Sequence, residues 1–329
     1  MKIRAIRIAA AGGPEAMRLE TIDLPAPAAG QARVRHAAIG VNFIDTYHRS
    51  GLYPLPMPSG IGVEAAGTVE AIGENVTGIA VGDRVAYAGG PIGAYAEASN
   101  VPAARLVKVP ASVGLDVAAA ALLKGLTVQY LFRQTFRLEK GQTILFHAAA
   151  GGTGLLACQW ARHLGVTMIG TTSTPEKAAL AKSNGCAHVI DYRREDLAKR
   201  VRELTGGRGV PVVYDGVGKD TFIASLDSLS PRGLLVSFGN ASGPVTGVDL
   251  GILSAKGSLY VTRPTLATYT ATTEALQSAA AELFDLIARG AIKPEITRRF
   301  PLADATAAHR ALQGRETTGA LLLDPGARG

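Results

Sequence analysis

Up to about Lys124, apolar and polar residues alternate in short runs broken by Gly, Pro and Asn. QARVRHAAIGV from Gln31 and GVEAAGTVEAIG from Gly62 carry the two-residue period of strands, so this region is expected to be irregular and mostly β. From Gly141 to about Arg263 the rhythm changes. Apolar segments TILFHA, VTMIGT, AHVIDY, VPVVYDG, LLVSFG and SLYVTR alternate with segments of helical length, which predicts parallel strands joined by right-handed crossovers. Between the two regions, LDVAAAALLKGLTVQYLF from Leu115 reads as an apolar helix interrupted by Gly125, placed to cross between domains and carry the hinge. The tail reads as an amphipathic helix around Thr273 to Arg289, a strand at Arg299 to Leu302, a short helix around Ala303 to Leu312 and a last strand GALLLD. It is expected to rejoin the first region. The predicted α/β chain thus has one domain at 1–124 with 264–329 and another at 125–263.

Size and composition agree with two domains sharing a cleft, since 329 residues exceed the roughly 100 to 200 of one ordinary domain. Hydrophobic residues at 47% and charged residues at 19% match ordinary globular usage and exclude a disordered chain. The net charge of +7 is scattered, with Arg193/Arg194 and Arg298/Arg299 the densest clusters. Nucleic acid is therefore not the expected partner, because phosphate tracking uses a concentrated basic stripe. Apolar runs such as Asp116 to Leu123 fall short of the roughly 18 residues that span a bilayer, and Met1 to Ala10 alternates charged with apolar residues. No membrane anchor or export segment is expected. Cys158 and Cys186 are the two cysteines, too few for a disulfide framework or a structural zinc site, which suits a reducing cytoplasm.

Candidate chemistry starts at ILFHAAAGGTGLLACQWARHLGV, which runs strand, glycine turn, helix. Gly151, Gly152 and Gly154 let the backbone turn sharply and approach a pyrophosphate, while the helix N-terminus offers N–H groups and a positive dipole end. Ala148 occupies the first position of the dinucleotide fingerprint, giving AxxGxxG. About 20 residues on, an Asp or Glu would accept from a free ribose 2′-OH and repel a 2′-phosphate. Here the sequence reads GTTSTPEK. Ser173 and Thr174 supply hydroxyls and Lys177 a positive charge, suited to a phosphate monoester, so NADPH is expected over NADH. A second reading, compatible with the first, makes Thr174 a helix cap before Pro175 and Lys177 a solvated side chain.

Further motifs follow in order: GVNFIDTYHRSGLYP from Gly40, GVEAAGTVEAIG from Gly62, GDRVAYAG from Gly82, GAYAEAS from Gly93, LLKGLTVQYL from Leu122, AAAGGTG from Ala148 and YDGVG from Tyr214. Through them essentially the whole chain resembles the medium-chain dehydrogenase/reductase superfamily, and within it the NADPH:quinone oxidoreductase (zeta-crystallin-like) family. The resemblance implies a Rossmann doubly wound parallel sheet that binds NADPH, plus an irregular, mostly β GroES-like catalytic domain. Zinc alcohol dehydrogenases of the superfamily place a Cys ligand where this chain has Asn42 and a His ligand where it has Val63. Glu64, His36 and His48 do not replace them as a three-ligand set, and His48 reads as a packing histidine. Alcohol oxidation, which uses a Lewis acid, is therefore not the expected chemistry.

A metal-free reductase instead positions an electron-poor acceptor, a quinone or conjugated enone, against the nicotinamide. Charge builds on the acceptor oxygen, so the site needs hydrogen-bond donors there and a route for one proton. Asn42, Tyr47 and Tyr53 are the catalytic candidates. A Tyr with its ordinary pKa near 10 donates hydrogen bonds but is a reluctant acid at neutral pH, which leaves water able to deliver the proton. Asp45 reads at least as readily as a structural residue, orienting Arg49 or a backbone turn, as it does as a catalytic one. By resemblance, Asn42 and Tyr47 contact the nicotinamide amide or substrate and Tyr53 sits at the mouth of the cleft. Thr127 and Tyr130 lie near the hinge, Gly151, Gly152, Thr153 and Gly154 on the pyrophosphate, and Ser173, Lys177 and Tyr192 around the 2′-phosphate. Phe238, Gly239 and Asn240 are expected on the nicotinamide side, Val217 and Arg263 among the other cofactor-binding residues, and Arg315 reaches the cofactor from the tail. SLYVTR would be the sheet edge, paired across a homodimer. The implied function is zinc-independent quinone reduction by NADPH. The alternatives are an NADPH-dependent enoyl or alkenal double-bond reductase, or a non-catalytic NADPH- or RNA-binding crystallin-like protein.

Overall fold

The structure, a computed structural model, describes residues 1–327, so the last two residues of the predicted tail domain lie outside the described residues. The chain divides into two compact units, one of residues 1–126, 270–290 and 294–329, the other of 127–269 and 291–293. The divides fall a few residues beyond 124 and 263, and a short segment of the tail, Ala291 to Lys293, packs with the second unit.

In the first unit the strand Gln31–Val41 is the organiser. Its length lets it take Glu64–Ile72 along one edge, while the other edge is shared between Ala98–Pro102 and the last strand, Ala320–Asp324. The register Leu321↔Val41 ties the tail back into this unit. The strand Ile296–Pro301 lies parallel to the last strand and begins before Arg299, where the sequence placed its start. Alternate residues such as Val34, Val69, Val85, Leu321 and Leu323 form the core with Tyr87 and Tyr95. This is the period-two burial that sequence alternation implies.

The second unit is a six-stranded, all-parallel sheet in the spatial order His188–Asp191, Thr167–Thr172, Thr143–Phe146, Val210–Asp215, Leu229–Ser237, Tyr260–Thr262. The chain starts at the middle of this order, moves outward on one side and then on the other, the doubly wound Rossmann arrangement. Strands buried on both faces read as continuous apolar runs, as Leu145, Ile169, Val213 and Leu235 do here. Tyr260–Thr262 is the edge, with Tyr260 exposed.

Two expectations need correction. The helix Leu115–Tyr130 is not interrupted at Gly125, because that glycine serves packing. A Cβ there would lie 2.4 Å from Leu283 Cδ2 of the helix Thr273–Ala288. The helix also continues as a π-helical stretch, Leu131–Thr135. Together they make 21 residues, long and apolar enough by length and composition to cross a membrane, contrary to the run lengths read from sequence. Of the most apolar 18-residue window in this span, 72% is buried inside the protein, the behaviour of a core helix.

Candidate functional site

The strand Thr143–Phe146 ends in a turn whose first fingerprint position, Ala148, takes φ 55°, the left-handed conformation that usually selects glycine. The Gly151 N–H donates to the Ala148 carbonyl at 3.0 Å, and Gly151 then caps the helix Gly152–Leu164. The first intrahelical bond is Leu155 N–H to Gly151 O at 2.8 Å, so the N–H groups of Gly152, Thr153 and Gly154 precede it. These are the donors that an anion meets at a helix start. Gly154 is buried, and a Cβ there would lie 2.3 Å from the Ala148 carbonyl oxygen. Its bareness lets the helix press against the turn.

The next strand places Ser173 at its end and Thr174 at the N-cap of Pro175–Ser183, with Thr174 Oγ1 accepting the Lys177 N–H at 3.3 Å. The Thr174 cap is therefore present, while Lys177 is half-buried and not fully solvated. The nearby carboxylate of Glu176 bonds its own backbone N–H and Thr174, which hold its pKa below the usual range. It is thereby tied to the cap. Tyr192 joins this end of the sheet, its N–H donating to Thr172 O at 3.3 Å.

At the ends of Val210–Asp215 and Leu229–Ser237 the structure brings together Val217, Phe238, Gly239, Asn240 and Arg263. Asp215 Oδ1 accepts the N–H groups of Val217 and Gly218 at 2.8 and 3.0 Å, fixing that loop. A Cβ on Gly239 would lie 2.3 Å from Gly216 O, and the ring of Phe238 packs on Phe146 at 5.7 Å. Arg263 donates to the carbonyls of Ser237 and Gly239 at 2.9 and 3.0 Å. Thr127 and Tyr130 lie on the helix Leu115–Tyr130, and Tyr130 stacks on Tyr269 with centroids 4.6 Å apart. Burial pushes the Tyr130 hydroxyl's pKa up, so it is a donor, not an acid. A buried chain underlies both strand ends: the Ala148 N–H donates to Thr171 Oγ1, His147 bridges Thr171 and Ser225 at 3.1 and 2.9 Å, and Ser225 donates to Asp215 Oδ2 at 2.9 Å. Burial holds His147 neutral.

In the first unit the candidates gather on the helix Phe43–Ser50. Asn42 is its N-cap and donates through its backbone N–H to Asp45 Oδ2 at 2.8 Å. Through Nδ2 it donates to Glu64 Oε2, also at 2.8 Å. Glu64 is fully buried and takes two further donors, the Leu123 N–H at 2.6 Å and the Lys124 ammonium at 3.3 Å. A carboxylate only accepts, so Glu64 fixes which way the Asn42 amide faces. One Nδ2 proton is thereby committed to Glu64. Tyr47 is buried with its ring edge-on to Tyr53 at 5.3 Å, and His48 packs on Tyr53 at 6.1 Å, as a packing histidine does. Asp45 orients the helix start and not Arg49. Arg315 lies in the turn beyond the helix Ala305–Gln313, at φ 57°.

A model described as "Alcohol dehydrogenase GroES-like domain" matches residues 28–111, and one described as "Zinc-binding dehydrogenase" matches 152–288. A quinone oxidoreductase of Pseudomonas aeruginosa is 59% identical over 98% of this chain and 99% of its own. The solved structure of Escherichia coli quinone oxidoreductase in complex with NADPH is 51% identical over 98% of this chain and all of that one, with a TM-score of 0.97. A 2-haloacrylate reductase of a Burkholderia species is 46% identical over 95% of this chain and 96% of its own. The chain belongs to the quinone oxidoreductase family.

Family membership together with the zinc-dehydrogenase match raises the question of a metal. The donor chemistry does not suit one. Asn42 turns an amide N–H toward Glu64, Val63 is a buried hydrocarbon, and the Lys124 ammonium already supplies the cation beside Glu64. No group of three or more His, Cys, Asp or Glu able to hold a metal occurs among the described residues. Sequence reasoning missed Lys124, Tyr269 and the His147–Asp215 chain. Lys124 and Asp215 sat inside the quoted motifs LLKGLTVQYL and YDGVG, but their partners are distant in sequence.

Proposed function

We propose that this protein is a zinc-independent, NADPH-dependent quinone reductase. The observation that carries the reading is the end-to-end likeness to quinone oxidoreductases, one of them solved with NADPH. The cradle agrees with it: a helix start pressed on its turn through Gly154, followed by Ser173 and Lys177, with the Glu176 carboxylate tied to a cap. NADPH, when bound, supplies the hydride. The chain's own residues bind, orient and donate. The N–H groups of Gly152, Thr153 and Gly154 hold the pyrophosphate against Gly151, while Ser173, Lys177 and Tyr192 take the 2′-phosphate. Val217, Phe238, Gly239, Asn240 and Arg263 border the nicotinamide, and Thr127, Tyr130 and Arg315 complete the cofactor contacts. Asn42 supplies its remaining amide groups to the nicotinamide or acceptor. Tyr47 and Tyr53 donate to the acceptor oxygen, where charge grows during reduction.

The test is NADPH oxidation with an ortho-quinone, a para-quinone and an enone. Turnover of a quinone at the highest kcat/KM supports the proposal. The resemblance to a 2-haloacrylate reductase favours a second reading, reduction of a conjugated carbon–carbon double bond, and a higher kcat/KM for the enone would select it. Tight NADPH binding with no turnover of any acceptor would select a binding protein. We further propose a homodimer paired through Tyr260–Thr262, supported by the exposure of Tyr260 and Val261 on this edge. A cytoplasmic location suits the two free, buried thiols.

A further inference from the structure

The helix Phe43–Ser50 is tied at both ends into one buried hydrogen-bond chain, and the chemistry of its first member orients every bond in it. Arg49 is 2% exposed. Its guanidinium donates to Gly12 O at 3.1 Å, to Gln313 Oε1 at 3.0 Å and, through Nη1, to His309 Nδ1 at 3.2 Å. A guanidinium has no acceptor, so His309 Nδ1 accepts. Burial keeps His309 neutral, down to a pKa of about 3, so its one ring proton sits on Nε2. That proton is donated to the Tyr95 oxygen at 3.0 Å, and the Tyr95 O–H in turn donates to Asp45 Oδ2 at 2.9 Å. The same carboxylate oxygen accepts the Asn42 N–H, whereas Asp45 Oδ1 has no hydrogen-bond partner. Asp45 is thus held through one oxygen that Tyr95 and Asn42 share, and a change at either bond acts on the other.

We propose that Tyr95 and His309 are positioning residues for Asn42, through which the helix Ala305–Gln313 fixes the amide presented at the start of Phe43–Ser50. This rests on the role given to Asn42 above. The chain is not a proton path. Arg49 does not release a proton, and each later member is committed to donating toward Asp45. Its effect is geometric: Asn42 is gripped on its backbone by Asp45 and on its side chain by Glu64, and the first grip depends on a residue more than 200 positions away, His309.

A double-mutant cycle tests this, with kcat, KM for quinone, the NADPH dissociation constant and the unfolding temperature measured for Asn42→Ala, Tyr95→Phe and the pair. Tyr95→Phe removes one hydroxyl and is expected to lower kcat about tenfold, as sub-ångström misplacement does. In the Asn42→Ala background the same change is expected to cost less than about twofold, since coupled residues are not additive. The loss in unfolding temperature should be similar in both backgrounds. Equal losses of kcat in the two backgrounds, or none in either, overturn the proposal. Should Tyr95→Phe fail to fold, His309→Gln breaks the chain one step earlier and reads the same cycle. If the parent protein turns over no quinone, the quinone-reductase reading fails by itself. The cycle is then read on the NADPH dissociation constant, where non-additivity supports positioning of Asn42 and additivity refutes it.

Discussion

Gly154→Ala tests the cradle at its tightest point. The added Cβ would lie 2.3 Å from Ala148 O and 2.7 Å from Ala149 C and Cα, whereas real Cβ contacts essentially never fall below 3.0 Å. All three atoms are backbone, so the turn must retreat from the helix by about 0.7 Å, a shift of the size that spoils a preorganised site. Overpacking of this kind costs about 1–3 kcal/mol, and the better helix propensity of Ala returns up to about 1 kcal/mol. Stability should therefore fall by no more than about 3 kcal/mol and the protein should stay folded. Binding suffers more, because the displaced turn and helix start lose alignment with the pyrophosphate. One charge-assisted hydrogen bond is worth about 1.5–3 kcal/mol, which corresponds to a rise of roughly 10- to 150-fold in the NADPH dissociation constant. Calorimetric titration of the folded variant measures it. A folded Gly154→Ala protein with parental affinity would refute the cradle.

Lys177→Ala should raise KM for NADPH by roughly 10-fold or more while leaving NADH nearly unchanged, and equal losses would remove the 2′-phosphate assignment. Lys124→Met strands the fully buried Glu64 without its cation and should cost about 3–5 kcal/mol in chemical denaturation, against near-neutrality if the pair is idle. His36, buried with Nδ1 2.7 Å from Ala96 O, has its pKa lowered from 6.5 to about 4, chiefly by burial. The stability this neutral ring contributes is fully present above pH 6.5 and lost as pH falls toward about 4. The loss amounts to about 3 kcal/mol and should appear as a steep fall in unfolding temperature over that window. An acid-insensitive unfolding temperature would contradict it.

Local pattern carried the parallel sheet, because strands buried on both faces are apolar runs and the crossovers between them have helical periodicity. It carried the glycine turn for the same reason: Ala148 to Gly154 is contiguous. It misread Gly125, since a glycine that admits Leu283 from a distant helix looks the same in one dimension as a glycine that breaks one. It undercounted the helix running to Thr135 because Lys124 and Gln129 punctuate the apolar run, yet both are buried. The side-chain networks were out of reach altogether. Glu64 and Lys124 are 60 residues apart, and Tyr95 and His309 are 214 apart, so only the fold of the first unit makes them neighbours.

The central claim is reduction of a quinone by NADPH without metal. The most direct measurement is kcat/KM for NADPH and for NADH with one para-quinone, on protein dialysed exhaustively against a chelator of divalent cations. The expected result is full quinone turnover after chelation, with NADPH preferred over NADH at least about tenfold, the worth of one phosphate contact. Activity that disappears with the metal and returns with zinc, or an equal or better rate with NADH, would contradict it.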